Sequence, residues 1–165
     1  MRPAVIKALR RLDAMSVENG AHPGTPDVNH LYGWMELKYL KAWPVRPTTP
    51  VRVEHFVPGQ RGWIGRRVRA TRKAGGSECV HVLLKVGREW LLFDGEWAAL
   101  FLGEKTKGEL IEAALGHWTV FDKKDFAACL TTICLSKSLS PLGNGNESSG
   151  RETSAPKQKG RATSK

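Results

Sequence analysis

The chain lacks any long apolar run. Nowhere in its 165 residues does an uncharged hydrophobic stretch reach the ~20 residues that a membrane-spanning helix needs. Met1-Arg2-Pro3 opens an amphipathic segment instead of the apolar core of a signal peptide. A soluble cytoplasmic protein with no membrane association is therefore expected. Cysteine is also scarce. Cys79, Cys129 and Cys134 form no CxxC pair and stand beside no paired histidine spacing, so zinc is not expected. Cys129 and Cys134 lie in an apolar segment and read as buried thiols. The third shortage is of acid: 16 Asp and Glu stand against 26 Lys and Arg, a formal charge of +10. That balance points to a polyanionic partner, with a basic soluble protein lacking one as the plain alternative. No internal repeat is visible, and the length suits one domain with a real core.

What is present reads as an α/β protein. Val5, Ile6, Leu9 and Leu12 recur at helical spacing, predicting a helix over Pro3–Ala14. Asn19-Gly20 and Pro23-Gly24 mark a loop. Asp27–Leu31 and Trp34–Leu40 then read as two strands joined by a turn at Tyr32-Gly33, a hairpin. Pro44, Pro47 and Pro50 predict an extended loop. Pro58 suits the first turn of a helix and Gly75-Gly76 its end, although Gly62 and Gly65 each cost about 1 kcal/mol inside it. Val80–Val86 and Trp90–Phe93 are further strands. Thr106 and Glu109 form a capping box opening a helix with Leu110, Ile111, Ala114 and Leu115, closed by Gly116. Trp118–Phe121 reads as a short strand and Phe126–Leu135 as a last helix. After about Ser136 apolar residues almost vanish, so residues 136–165 read as a disordered basic tail behind a domain of residues 1–135.

The chemistry concentrates in the hairpin. Pro26-Asp27 is followed after eight residues by Glu36-Leu37-Lys38. Glu36 and Lys38 are two apart on a strand, so they share a face, with Asp27 across the hairpin. Two carboxylates and an ammonium would then surround one point. Carboxylate oxygens suit Mg²⁺, and phosphodiester hydrolysis needs a cation on the phosphoryl oxygens and an activated water. Lys38 could orient that water or neutralise developing charge. The bland alternative is an ordinary exposed strand face bearing a Glu–Lys pair.

Taken together, Gly24-Thr25-Pro26-Asp27-Val28 and Gly33-Trp34-Met35-Glu36-Leu37-Lys38 resemble the core signature of the PD-(D/E)xK nuclease superfamily. Within it they resemble the VRR-NUC branch and the small Holliday-junction-resolvase-like nucleases often carried by phages. The resemblance covers roughly residues 3 to 95. It implies a restriction-endonuclease-like core: a mixed sheet whose central hairpin carries the site, flanked by helices. It implies Asp27 and Glu36 as metal ligands, the Leu37 carbonyl as a further one, and Lys38 as the catalytic lysine. Gln60, opening a helix as in that branch, would support the site. The family's additional acid falls to Glu18 or Asp13; Glu18, closer in sequence to the Pro26-Asp27 turn, is favoured. The implied activity is Mg²⁺-dependent cleavage of DNA, with Mn²⁺ able to substitute, on branched or structured substrates. A homodimer and, for a phage-encoded chain, the host cytoplasm also follow. A non-catalytic nucleic-acid binder of the same fold and a sequence-specific restriction-type endonuclease stay open.

Arg61, Arg66, Arg67, Arg69, Arg72 and Lys73 crowd the Gln60 helix, with no acid between Arg61 and Lys73. Such a stripe suits phosphate contact. Lys41 and Trp43, just past the Glu36–Lys38 strand, could meet a base or backbone, or Trp43 could pack on the core. Trp63, Trp90 and Trp97 read as core. The five histidines share no spacing, and for His30 a packing or surface role is favoured over the site.

Overall fold

The computed structural model describes residues 1–18 and 24–139, with side chains through Lys137. Six strands make one mixed sheet in sequence order: β1 (Met15–Ser16), β2 (Val28–His30), β3 (Gly33–Leu40), β4 (Cys79–Val86), β5 (Glu89–Asp94) and β6 (Gly116–Trp118). All neighbours pair antiparallel except β3 and β4, which run parallel in a register from Gly33–Cys79 to Leu40–Val86. A parallel pair needs a crossover. Here the Pro-rich loop and α2 (Pro58–Lys73) supply it. The other helices are α1 (Arg2–Ala8), α3 (Gly95–Phe101), α4 (Lys107–Ala113) and α5 (Lys123–Leu139).

Strand alternation divides the core in two. Val80, Val82, Leu84, Leu91 and Phe93 face one side, against Ile64 of α2, Ala98 of α3 and Leu110 of α4. Val28, Met35, Leu83 and Leu92 face the other, against Val5 and Leu9 of α1 and its neighbouring turn and Phe126 and Leu130 of α5. The protein is thus α/β, a mixed sheet with helices on both faces, as its sequence predicts. Among the described residues no helix is long and apolar enough to cross a membrane.

Several boundaries differ from expectation. The first helix stops at Ala8; a 3-10 turn follows over Arg10–Leu12, and Asp13 at φ 51° swings the chain out to pair as β1. The hairpin turn is Leu31-Tyr32, because Gly33 already pairs with His30. Gly33 has φ 141°, and a Cβ there would overlap the Cys79 carbonyl oxygen of the parallel neighbour. Leu115 and Gly116 leave the helix: Ala114 is its cap, and the Leu115 N–H bonds the Leu92 carbonyl oxygen at 2.7 Å as β6 begins. The expected strand over Trp118–Phe121 therefore lies earlier, at Gly116–Trp118, and Phe121 instead stacks on Trp90. Helix α3 has no counterpart in the sequence prediction. Its signal was Asp94, which caps it by accepting from the Glu96 and Trp97 N–H groups. Helix α5 continues past Ser136 to Leu139; the rest of the expected tail lies outside the described residues, as do Asn19, Gly20 and Pro23 of the expected loop.

Candidate active site

The hairpin register is the origin of the site. Val28 faces Met35, so one step further along the same antiparallel ladder Asp27 comes opposite Glu36. Both project to the α2 side of the sheet, as does Lys38. The preceding turn is fixed against α2: Gly24, at φ 96°, lies so close that a Cβ would stand 2.5 Å from the Gly59 carbonyl oxygen. This contact seats the Pro26-Asp27 turn beside the first turn of the helix that carries Gln60.

Glu36 and Lys38 are 1% and 5% exposed. The Lys38 ammonium donates to Gln60 Oε1 and the His55 carbonyl oxygen, both at 2.7 Å, and stands 2.9 Å from Glu36 Oε1. Gln60 Nε2 donates to the same Glu36 oxygen at 2.9 Å. Gln60 also accepts from the Val57 N–H at 3.2 Å, so one side chain caps α2 and braces the buried pair. The other carboxylate oxygen, Glu36 Oε2, is buried with no hydrogen-bond partner among the described residues. Burial raises the Glu36 carboxyl to about 7; the charge of Lys38 opposes this and that of Asp27 adds to it. An ordinary exposed strand face has none of these features.

Asp27 is held on both oxygens. Oδ2 accepts from the Leu37 N–H at 2.9 Å, and Oδ1 meets the Arg2 guanidinium. Arg2 also reaches Glu18 Oε1 at 3.3 Å and Ser16 Oγ at 3.2 Å. Glu18 is thus tied to the site through Arg2, with its own side chain 86% exposed. Asp13 instead lines an open hollow with Asn29, His30, Tyr32 and Glu78. Sequence reasoning missed Arg2, whose only signal was a cation at the start of a helix. His30, two residues from Val28 on β2, shares its face on the opposite side of the sheet and is 3% exposed.

The basic stripe is not uniform. Arg61 turns inward: it donates to the carbonyl oxygens of Phe56, Ala99 and Leu102 and lies over the Phe56 ring at 4.4 Å. Arg67 is paired with Glu78 and Arg72 with Glu96, acids supplied by β4's approach and by α3. Arg66, Arg69 and Lys73 are exposed, as is Lys41 beyond the end of β3. Trp43 packs on the core and donates to Glu89 Oε1 at 2.6 Å, which settles it as a packing residue in this structure. Trp63 and Trp97 pack at the core margin and Trp90 within it.

A second cluster lies on the other face. Cys79 and His81 of β4 and Cys134 of α5 are all buried, with one potential ligand atom from each within 4.8 Å of the others. Sequence spacing had argued against a thiolate metal site. The fold corrects that premise, because the second thiol arrives from a helix far along the chain. Cys129, expected buried, is partly exposed.

Compared with known proteins, the chain matches no family model and no curated sequence.

Proposed function

We propose that this protein is a Mg²⁺-dependent nuclease with a PD-(D/E)xK-like core, hydrolysing DNA phosphodiester bonds. One observation carries the reading. Asp27 and Glu36 oppose each other across the hairpin, Glu36 Oε2 is buried and unpartnered, and Lys38 and Gln60 converge on the other Glu36 oxygen. An orphaned buried carboxylate oxygen beside a second carboxylate fits a hard divalent cation, which takes oxygen ligands. Asp27, Glu36 and the Leu37 carbonyl would hold it, with Glu18 on the open side. Bound there, Mg²⁺ supplies positive charge for the phosphoryl oxygens and acidifies a water.

The chain's own residues do the rest. Glu36, neutral when protonated, becomes a ligand on losing its proton. Lys38, anchored by Gln60, Glu36 and the His55 carbonyl, presents a fixed positive charge that would offset charge developing on the phosphate. Gln60 holds Lys38 and Glu36 in register. Arg2 stands at Asp27 Oδ1, so its guanidinium would compete with a cation for that oxygen. Arg66, Arg69, Lys73 and Lys41, exposed and without an ion pair among the described residues, would offer their charges to the phosphate backbone.

Incubation of purified protein with linear, flapped and four-way-junction DNA tests this. Cleavage is expected in Mg²⁺ or Mn²⁺ and none in EDTA; full cleavage in EDTA overturns the metal mechanism. The near-complete burial of Glu36 and Lys38 favours one other reading, a binder that keeps this pair as structure. Tight junction binding without cleavage in either metal would select it.

A further inference from the structure

We propose that Cys79, His81 and Cys134 form a second metal site, for a thiophilic ion of the Zn²⁺ class, pinning α5 to the sheet. Cys79 and His81 are two apart on β4 and so share its α5-facing side. Cys134 comes down on them from α5. The three donor atoms are mutually within 4.8 Å. A tetrahedral zinc with bonds of about 2.0–2.3 Å would draw them closer by small side-chain rotations.

The independent observation is His81. It is 0% exposed, yet among the described residues neither ring nitrogen has a hydrogen-bond partner. A buried imidazole with both nitrogens idle is costly unless something takes a lone pair. A neutral imidazole offers such a lone pair to a metal. Metal binding would release both thiol protons.

The charged and titratable groups around His81 come from every neighbouring element. They are His30 of β2, Asp94 of β5, opposite His81 in the ladder, and Lys137 of α5, bonded to Asp94 Oδ2 at 2.6 Å. Lys137 offsets thiolate charge. His30 Nε2 is buried with no hydrogen-bond partner among the described residues, and a further ligand or a water would complete four-coordination. Soft thiolates and imidazole select Zn²⁺ or Cu⁺ over Mg²⁺. The site lies across the sheet from Asp27 and Glu36, so it stands or falls independently of the nuclease reading.

The test titrates reduced, chelator-stripped full-length protein with Co²⁺ and then Zn²⁺. One equivalent of Co²⁺ should give thiolate-to-metal charge-transfer absorption and tetrahedral ligand-field bands, both displaced by Zn²⁺, and Zn²⁺ should raise the unfolding temperature. Cys79→Ala, His81→Ala and Cys134→Ala should each weaken Zn²⁺ binding by about 10²-fold or more, a loss at least as large as that seen for second-shell partners. Displacement by Cu⁺ but not Zn²⁺ would overturn zinc as the ion. No charge-transfer band in the parent, or Zn²⁺ binding unchanged in the variants, would overturn the site. Should the variants not fold, X-ray absorption of the zinc-loaded parent decides: two sulfur ligands support the site, and an all-oxygen shell refutes it.

Discussion

Replacing Lys38 by Met separates the two readings of the buried pair, because it keeps the aliphatic stem and removes only the ammonium. The His55 carbonyl and Gln60 Oε1 each lose a 2.7 Å partner. An unsatisfied buried acceptor costs about 1–3 kcal/mol. Glu36 loses the nearby positive charge that draws its pKa down. Its folded value, about 7, lies above its ordinary 4.5, so between those values the folded state binds more protons than the unfolded one. Parent stability from this group is therefore present at low pH and lost as pH rises through that window. Without Lys38 the folded value moves higher still, and the losing window extends above pH 7. The Lys38→Met penalty should thus grow by about 1.4 kcal/mol per pH unit above 7 and flatten below 6. Urea unfolding in EDTA at pH 6, 7 and 8 measures it. The double variant Glu36→Gln/Lys38→Met should lose the part of the pH dependence above 7 that Lys38→Met adds, since the group that titrates there is gone. At saturating Mg²⁺, single-turnover cleavage by Lys38→Met should fall roughly 10²-fold or more while DNA affinity holds within a few-fold. A penalty that does not vary between pH 6 and 8 would refute the buried-pair electrostatics. Cleavage equal to the parent's would refute the catalytic role.

Three further outcomes follow from other parts of the structure. Gly33→Ala should destabilise the fold by about 3 kcal/mol or more, since both the positive φ and the Cys79 carbonyl oppose a Cβ; thermal unfolding reads this, and an unchanged midpoint would mean that β3 and β4 are not paired in this register. Replacing Arg66 and Arg69 with Ala should weaken binding to unrelated DNA sequences and lower the slope of log affinity against log salt by about 2, whereas the same change at Arg67 and Arg72, already paired with Glu78 and Glu96, should lower it less. His30 is held down to about 4 by burial, below its ordinary 6.5, so its contribution is full above 6.5 and is lost as pH falls toward 4; His30→Leu should remove about 1.4 kcal/mol per pH unit from the acid-side slope in urea unfolding of metal-free protein.

The hairpin was legible because its signals are local. Alternation over Val28–His30 and Gly33–Leu40 sets the faces, so Glu36 and Lys38 could be placed on one side from spacing alone with Asp27 across the hairpin, whereas the register was not legible, because the turn falls one residue earlier than its sequence suggests. The start of α2 was equally legible from Pro58, and Gln60 with it. Element ends were less so. Asp13 in the left-handed region and Leu115 captured by the Leu92 carbonyl end their helices through contacts that periodicity does not encode. Helix α3 was overlooked although Asp94 is an ordinary N-cap, because the apolar Trp97–Phe101 stretch follows closely on a strand and reads as a continuation of its apolar run.

The residues that sequence reasoning missed or misjudged share one cause: each works through a partner distant in the chain. Arg2 is unremarkable in its helix and becomes part of the site only because β1 pairs with β2, bringing Ser16 and Glu18 alongside Asp27. Arg61, Arg67 and Arg72 look like one cationic stripe with Arg66 and Arg69. Backbone carbonyls from α3 and the acids Glu78 and Glu96, none of them on α2, divide that stripe into bound and free cations. Cys79 and Cys134 have no metal-binding spacing, yet a strand and a helix on the same face of the sheet deliver them to His81. Spacing rules test ligands supplied by one or two consecutive elements. They carry no information about a ligand set assembled across a sheet–helix interface, where the sheet's alternation and the helix's docking, set by core packing at Leu130 and Phe126, fix the geometry. Absence of a local motif is therefore evidence against a local metal site only, and the buried imidazole of His81, without a hydrogen-bond partner among the described residues, is the stronger guide to a non-local one.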